Sequence, residues 1–286
     1  MDIQQIIEVL KTKGVITTTE VDYQCLSGGT VSRLYLLLNT DGTSYVVKIN
    51  VPQVLKSEVT FLEHYKDIHL LPKLLYVDAS YRFIIYSYIL GTSFFGDVEK
   101  KEVVVTLAKE FINRYKRVPS VTGWGWADAP TDSWQAFLTT EVFEASEIIG
   151  ENLGKEDINY IERLVQQQNR YIAITPYLLH GDCGVHNFIF NKGRLCGVID
   201  PTPIIGPPIF DLISAFCSSP EDLSKETFDV AIGELQLEYT IPTQILYEDL
   251  MIGLYIRLGR CIKHHPNDFQ KYLDAWGYWK NILRNQ

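Results

Sequence analysis

Apolar positions Ile3, Ile6, Ile7 and Leu10 recur at helical spacing and stop short of Gly14, which predicts a short amphipathic helix. The period then changes. Three β-type runs follow, Val21 to Leu26, Val31 to Leu38 and Ser44 to Ile49, with Asn39-Thr40-Asp41-Gly42 as a hairpin turn between the last two. A helical stretch opens at Glu58 and continues through Phe61, Leu62 and Tyr65. Tyr81 to Ile89 is a further β-type run, closed by Leu90-Gly91-Thr92. Beyond Gly91 the pattern is mainly helical: Lys101 to Arg117, Trp134 to Ile149 behind Ser133 as N-cap, and Asp157 to Gln168. Leu212 to Cys217, Lys225 to Glu238, Thr243 to His264 and Pro266 to Leu283 complete it, while Gly123 through Pro130 reads as loop. Trp276 and Trp279, three apart on the last helix, predict a packed core face. The sum is an α+β chain with a β-rich part, residues 1–91, and a larger helical part, residues 92–286, with no repeat or low-complexity linker between them.

The helical part is interrupted where chemistry-bearing residues concentrate. An apolar stretch, Ile172 to Leu178, leads into Leu179-His180-Gly181-Asp182-Cys183-Gly184-Val185-His186-Asn187. Two β-type runs come next, Phe188-Ile189-Phe190 and Leu195 to Ile199, joined by Asn191-Lys192-Gly193-Arg194 and ending at Asp200. A hairpin brings its ends together, so Asn187 and Asp200 are expected side by side. An amide oxygen and a carboxylate are the hard donors that Mg²⁺ takes, one or two from protein and the rest from phosphate and water. Any one of Asp182, Asn187 and Asp200 alone reads as a capping or turn residue. Together they follow the pattern H-R-D-x-x-x-x-N with a later metal-binding Asp. That set suits phosphoryl transfer: Asp182 to orient and deprotonate a hydroxyl, Asn187 and Asp200 to hold Mg²⁺ against a nucleotide's phosphates.

Through His180-Gly181-Asp182-x-x-x-x-Asn187, Ile199-Asp200 and Gly206-x-Pro208-x-x-Asp211-Leu212, the chain resembles the aminoglycoside phosphotransferase and choline kinase family. This is the small-molecule branch of the protein-kinase-like fold. The resemblance implies a bilobal α+β architecture: a small antiparallel-sheet lobe with a helix (1–91) that binds nucleotide, and a mainly helical lobe (92–286) for catalysis and the acceptor. It implies Mg-dependent transfer of the γ-phosphate of ATP or GTP to a hydroxyl of an aminoglycoside-type antibiotic, amino alcohol or sugar-like metabolite. Asp182 would be the catalytic base, Asn187 and Asp200 the Mg²⁺ ligands. Asp211 would be a structural residue beneath the catalytic loop, and His180 a packing and hydrogen-bonding residue.

Lys48, in Tyr45-Val46-Val47-Lys48-Ile49, resembles the V-A-I-K lysine that meets the phosphates. Alternation puts it on the face of Val46, which by itself leaves an ordinary strand lysine equally open; the resemblance implies pairing with Glu58. Ser27-Gly28-Gly29-Thr30 offers backbone N–H groups to phosphate, although a plain hairpin turn explains it equally well. Its place ahead of the Lys48 strand makes it a nucleotide-binding candidate. The nucleobase is expected on the backbone between Tyr86 and Leu90. Two departures stand out: Asp200-Pro201-Thr202 in place of D-F-G, and Gly206-Pro207-Pro208 where many relatives have Gly-Asp-Pro. The first keeps open a non-catalytic nucleotide-binding module acting through a partner. The complete set Lys48, Asp182, Asn187 and Asp200 counts against it. Without an A-P-E segment or activation loop, the chain does not read as a protein kinase.

Composition narrows the partners. Lys and Arg total 26 against 35 Asp and Glu, a net charge of −9 that argues against nucleic acid or an anionic membrane surface and is compatible with a cationic acceptor. The five cysteines, Cys25, Cys183, Cys196, Cys217 and Cys261, are scattered without a C-x-x-C, so neither a disulfide framework nor a zinc site is expected, and Cys183 lacks the partners of a nucleophile. The first residues do not form a signal peptide, and no apolar run approaches the roughly 18 residues of a membrane span. A cytoplasmic location is the expectation. Asp132, Glu141, Glu144, Glu248 and Asp249 are expected as solvated helix-face acids, and Trp124 and Trp126 as loop or core anchors as readily as stacking platforms.

Overall fold

The opening helix forms where the apolar spacing puts it. The computed structural model describes residues 2–18, 20–26, 32–93, 96, 98–119, 122–167, 174–238 and 240–285. In it α1 (Ile3–Thr12) begins with a capping box: the Asp2 side chain accepts from the Gln5 N–H, and the Gln5 side chain accepts from that of Asp2. Strands β1 (Val21–Leu26), β2 (Arg33–Asn39) and β3 (Ser44–Ile49) precede α2 (Pro52–His64), β4 (Leu74–Val77) and β5 (Phe83–Ser87). The strands form one antiparallel sheet in the order β1-β2-β3-β5-β4. Sequence pattern missed β4, a four-residue edge strand too short to display a period.

Alternation along β3 settles where Lys48 points. Val47 joins Leu37, Phe83 and Ile85 beneath α1, whereas Val46 packs with Ile84, Tyr86, Leu55 and Val59 on the α2 side. Lys48 follows Val46, so it faces α2. That helix does not open at Glu58, as the pattern suggested. It starts at Pro52, whose fixed φ suits the first turn, and Glu58 lies in its middle.

The second part begins with α3 (Lys100–Thr106), which continues through a π-type turn (Leu107–Phe111) and a 3-10 turn (Ile112–Arg114). The expected loop from Gly123 to Pro130 contains a two-residue strand, β6 (Gly125–Trp126), invisible to pattern at that length. Next come α4 (Trp134–Ile149), α5 (Lys155–Val165), β7 (Tyr177–Leu179), β8 (Phe188–Asn191), β9 (Arg194–Val198) and β10 (Ile204–Gly206). Strand β10 pairs with both β6 and β7, and β8 with β9, giving a three-stranded and a two-stranded sheet. The chain ends with α6 (Ile209–Cys217), α7 (Lys225–Glu234), α8 (Thr243–His264) and α9 (Phe269–Arg284). Ser133 caps α4 by accepting the Ala136 N–H, and Trp276 and Trp279 are buried core residues, as the sequence predicts. The two parts are stitched where Thr92 exchanges backbone hydrogen bonds of 2.9 and 2.8 Å with Phe190 on β8. Among the described residues, no helix is long and apolar enough to cross a membrane.

Candidate active site

Strand β7 delivers His180 and Gly181 onto Asp211, which sits fully buried in the first turn of α6. Asp211 accepts the His180 N–H at 2.8 Å, the Gly181 N–H at 3.1 Å and the Tyr115 hydroxyl at 2.6 Å. Burial pushes its carboxyl up to about 6, against those three donors. Gly181 is required here: its φ is +81°, and a Cβ would lie 1.9 Å from the Thr202 carbonyl oxygen. The loop is thus pinned from below at one point and has no room to shift at the next.

His180 is buried between the rings of Phe61 and Phe111, whose centroids lie 5.6 and 5.9 Å away. Its Nε2 donates to the Ile199 carbonyl at 3.0 Å, and its Nδ1 accepts the Asp182 N–H at 3.3 Å. Those two contacts fix the tautomer. Burial depresses the imidazole to about 4, so the ring is neutral near pH 7 and ties the loop that carries Asp182 to the end of β9.

Asp182 lies on the open side of the loop, where its Oδ2 meets His186 Nε2 at 3.2 Å and the Asn187 amide nitrogen at 2.9 Å. Burial raises its carboxyl, but the hydrogen bond from His186 and the electrostatic pull of the surrounding histidines and of Arg260 outweigh that, and it stays below the ordinary carboxylate range. It is therefore an ionised acceptor. The Asn187 amide nitrogen also donates to the Asp182 carbonyl at 3.0 Å, so both its protons are committed and its Oδ1 remains as a free oxygen donor.

The hairpin closes as expected, with the Ile199 N–H donating to the Asn187 carbonyl at 2.9 Å. Asp200 follows directly, in left-handed backbone geometry at φ +60° that few side chains other than glycine adopt. Its side chain is 47% exposed, and one carboxylate oxygen takes the Lys48 ammonium. The same ammonium donates to Glu58 at 2.6 Å, with both Lys48 and Glu58 only 1% exposed. Burial would lower the lysine, but the charges of Glu58 and Asp200 win and hold it above its usual value. Burial lifts Glu58 to about 7, against the pull of Lys48.

Among the described residues there is no group of three or more His, Cys, Asp or Glu that could hold a metal. The donors that fit a divalent ion are Asn187 Oδ1 and Asp200, two hard oxygens at adjoining hairpin ends, which is the short protein contribution Mg²⁺ accepts. Of the predicted residues, Lys48, Glu58, Asp182, Asn187 and Asp200 converge; Ser27, Gly28, Gly29 and Thr30 lie outside the described residues. Two expectations of solvated acids fail. Glu141 is buried and bonded to Arg260 at 3.0 Å, and Glu248 is buried beside Gln244 at 3.0 Å. Helices α4 and α8 pack along each other, which covers Glu141 at their seam. Trp124 and Trp126 anchor their loop against Trp134 and Phe137. Cys183 is buried, and burial pushes its thiol well up, the reverse of an activated nucleophile.

Pattern reading passed over three groups. Tyr115 carries no signal, being one aromatic in a helical stretch. His186 could have been found, since it stands four residues from Asp182 in the same loop. Arg257 and Arg260 reach the site from α8, about 75 residues away in sequence, where nothing local marks them.

Comparison with known proteins agrees with this geometry. Three solved structures cover nearly the whole chain. Wild-type aminoglycoside 2'-phosphotransferase-IIIa in its GDP complex is 15% identical over 99% of both chains, with a TM-score of 0.63. The ADP-bound aminoglycoside phosphotransferase APH(2'')-Ib is 21% identical over 96% of this chain and 97% of the other, TM-score 0.60. Choline kinase LicA from Streptococcus pneumoniae is 16% identical over 99% of this chain and 100% of the other, TM-score 0.60. At such identities the likeness establishes the bilobal protein-kinase-like fold. No curated protein matches by sequence. The model of the phosphotransferase enzyme family (APH) matches residues 22–240, which takes in Lys48, Glu58, Asp182, Asn187, Asp200 and Asp211, and the chain belongs to that family.

Proposed function

We propose that the protein is a small-molecule kinase that moves the γ-phosphate of ATP or GTP to an acceptor hydroxyl. One observation carries this reading: a buried lysine on β3 bonded at once to Glu58 on α2 and to Asp200, 152 residues away, beside an ionised Asp182. A structural salt bridge does not need a third, half-exposed partner. Residues 1–91 would form the nucleotide lobe and 92–286 the catalytic and acceptor lobe, with the base on the backbone between Tyr86 and Leu90. Solved structures of similar fold were obtained with GDP and ADP, which supports a purine nucleotide as donor.

Lys48, aimed by Glu58, would meet the donor's phosphates and offset their charge. Asn187 Oδ1 and Asp200 would hold Mg²⁺, which when bound neutralises charge on the phosphates. Asp182 Oδ2 is taken up by His186 and Asn187, leaving Oδ1 to accept the acceptor's hydroxyl proton. As that hydroxyl oxygen bonds to the γ-phosphorus, the bond to the nucleoside diphosphate breaks and the proton passes to Asp182. His180 takes no part in proton transfer because its ring is neutral and both nitrogens are bonded.

The test is transfer of label from γ-labelled ATP and GTP to pooled hydroxyl compounds, with Mg²⁺ and with chelator. Transfer only with Mg²⁺ is expected. Tight nucleotide binding with no transfer to any pool would instead favour a binding module.

A further inference from the structure

Two hollows with shared lining residues lie along α8, the nearer one beside Asp182, and their walls do not suit a polycation. The nearer is lined by Asp182, His186, Arg257 and Arg260 with Phe210 and Ile213. The farther shares Phe210, Ile213, Gly253 and Ile256 with it and runs on between Trp134, Ile174, Ile245 and Ile252. The carboxylates on both walls are Asp182 and Asp249.

The cations differ in how they are answered. Arg260 is paired with buried Glu141 at 3.0 Å. Arg257 is held by a neutral group: its Nε donates to the Tyr272 hydroxyl at 2.9 Å, with the ring of Tyr272 5.2 Å from the guanidinium. That hydroxyl in turn donates to the Cys217 carbonyl at 2.9 Å. Among the described residues, no carboxylate lies within ion-pair distance of Arg257. A guanidinium fixed in direction on a cavity wall, with no counter-charge, presents a fork that matches a carboxylate. A compound bearing several ammonium groups would set them against Arg257, Arg260 and an isoleucine-lined wall, leaving most unpaired.

We propose that the acceptor is a hydroxy acid with an apolar body: its carboxylate pairs with Arg257, its hydroxyl reaches Asp182, and its body lies between Trp134, Phe210 and the isoleucines of α8. This rests on the kinase reading for the hydroxyl's role, while the carboxylate and the apolar body are tested by binding alone. The experiment is calorimetric titration of the full chain, with Mg²⁺ and a non-transferable nucleotide analogue, using 3-phenyllactate and 3-hydroxy-3-phenylpropanoate, their methyl esters, and kanamycin. At least one acid should bind about tenfold or more tighter than its ester, the increment of one charge-assisted pair, and tighter than kanamycin. Arg257→Gln should bring that acid down to its ester's level and leave the ester unchanged. Equal binding of acids and esters, no binding of either acid, or tighter binding of kanamycin overturns the proposal. The acid-to-ester ratio in the unmodified protein needs no variant to fold. Labelled transfer run beside it separates the two claims: phosphorylated kanamycin with no acid preference leaves the kinase standing and removes the hydroxy-acid acceptor.

Discussion

The Lys48 side and the Arg257 side of the site handle charge differently. On the side proposed for the donor, the buried lysine is paired before a ligand arrives, with Glu58 and Asp200 both on its ammonium, while Asp182, between the two sides, is hydrogen-bonded to His186 and Asn187. On the acceptor side the wall is mostly apolar, and Arg257 leans on a neutral phenol. Phosphate is the same ligand in every turnover, so the groups that meet it can be built as a closed network that only re-partners. An acceptor must be told from other hydroxyl compounds, and a wall with one unanswered charge discriminates because the wrong ligand leaves that charge unpaired.

The comparison can be broken at several points. The largest effect should come from the anchor both walls share. Asp211→Ala leaves two buried backbone N–H groups and the Tyr115 hydroxyl without an acceptor, and should cost about 3–5 kcal/mol in urea unfolding. A loss under about 1 kcal/mol would mean that the loop does not hang on Asp211.

His180 gives the next largest, as a dependence on pH. Its folded value of about 4 lies below the ordinary 6.5, so the neutral ring contributes stability that is complete above pH 6.5 and is lost as pH falls toward 4. The full difference is about 3 kcal/mol. Asp211, raised to about 6, and Glu58, raised to about 7, act in the opposite sense, losing stability as pH rises through their own windows. The reading is therefore the difference between the natural protein and His180→Asn across pH 4 to 7, in which those two cancel. A flat difference would mean that folding does not depress the His180 ring.

Lys48→Met sharpens the contrast between walls. It should lower kcat/KM by about 10²-fold, and by the same factor for every acceptor, because it acts on the donor alone. Stability should move little, since Glu58 is already raised to about 7 and can take up a proton when its partner goes. A factor that varies from one acceptor to another would join the two walls and undo the distinction. The smallest effect is local to the acceptor side. Ser133→Ala removes the N-cap of the helix that carries Trp134, and should cost about 1 kcal/mol by thermal melting with nucleotide binding unchanged.

The same asymmetry explains what could be read from the sequence. The residues proposed to meet the donor are packed into short segments, so Asp182, Asn187 and Asp200 stand out within one loop and hairpin, whereas alternation leaves Lys48 open and only the resemblance to the V-A-I-K strand singles it out. Helices such as α1 and α4 were legible because one face of each is buried. Strands β4 and β6 show no period of their own, whereas β8, as short as β4, is marked by the turn chemistry of Asn191 to Arg194 that follows it. Acceptor-side groups reach the site singly from distant helices: Arg257, Arg260 and Glu141 look like any charges on helices until α4 and α8 are packed together. Tyr115 is a similar case, an aromatic whose importance lies only in the carboxylate that folding brings to its hydroxyl.

The most direct test of phosphoryl transfer at this site is Asp182→Asn, assayed for label transfer and nucleotide binding in one preparation. The account predicts turnover reduced about 10³-fold with nucleotide affinity within about threefold of the natural protein, because the amide keeps the size of the carboxylate but cannot take the proton. Turnover near that of the natural protein would contradict it and require another base.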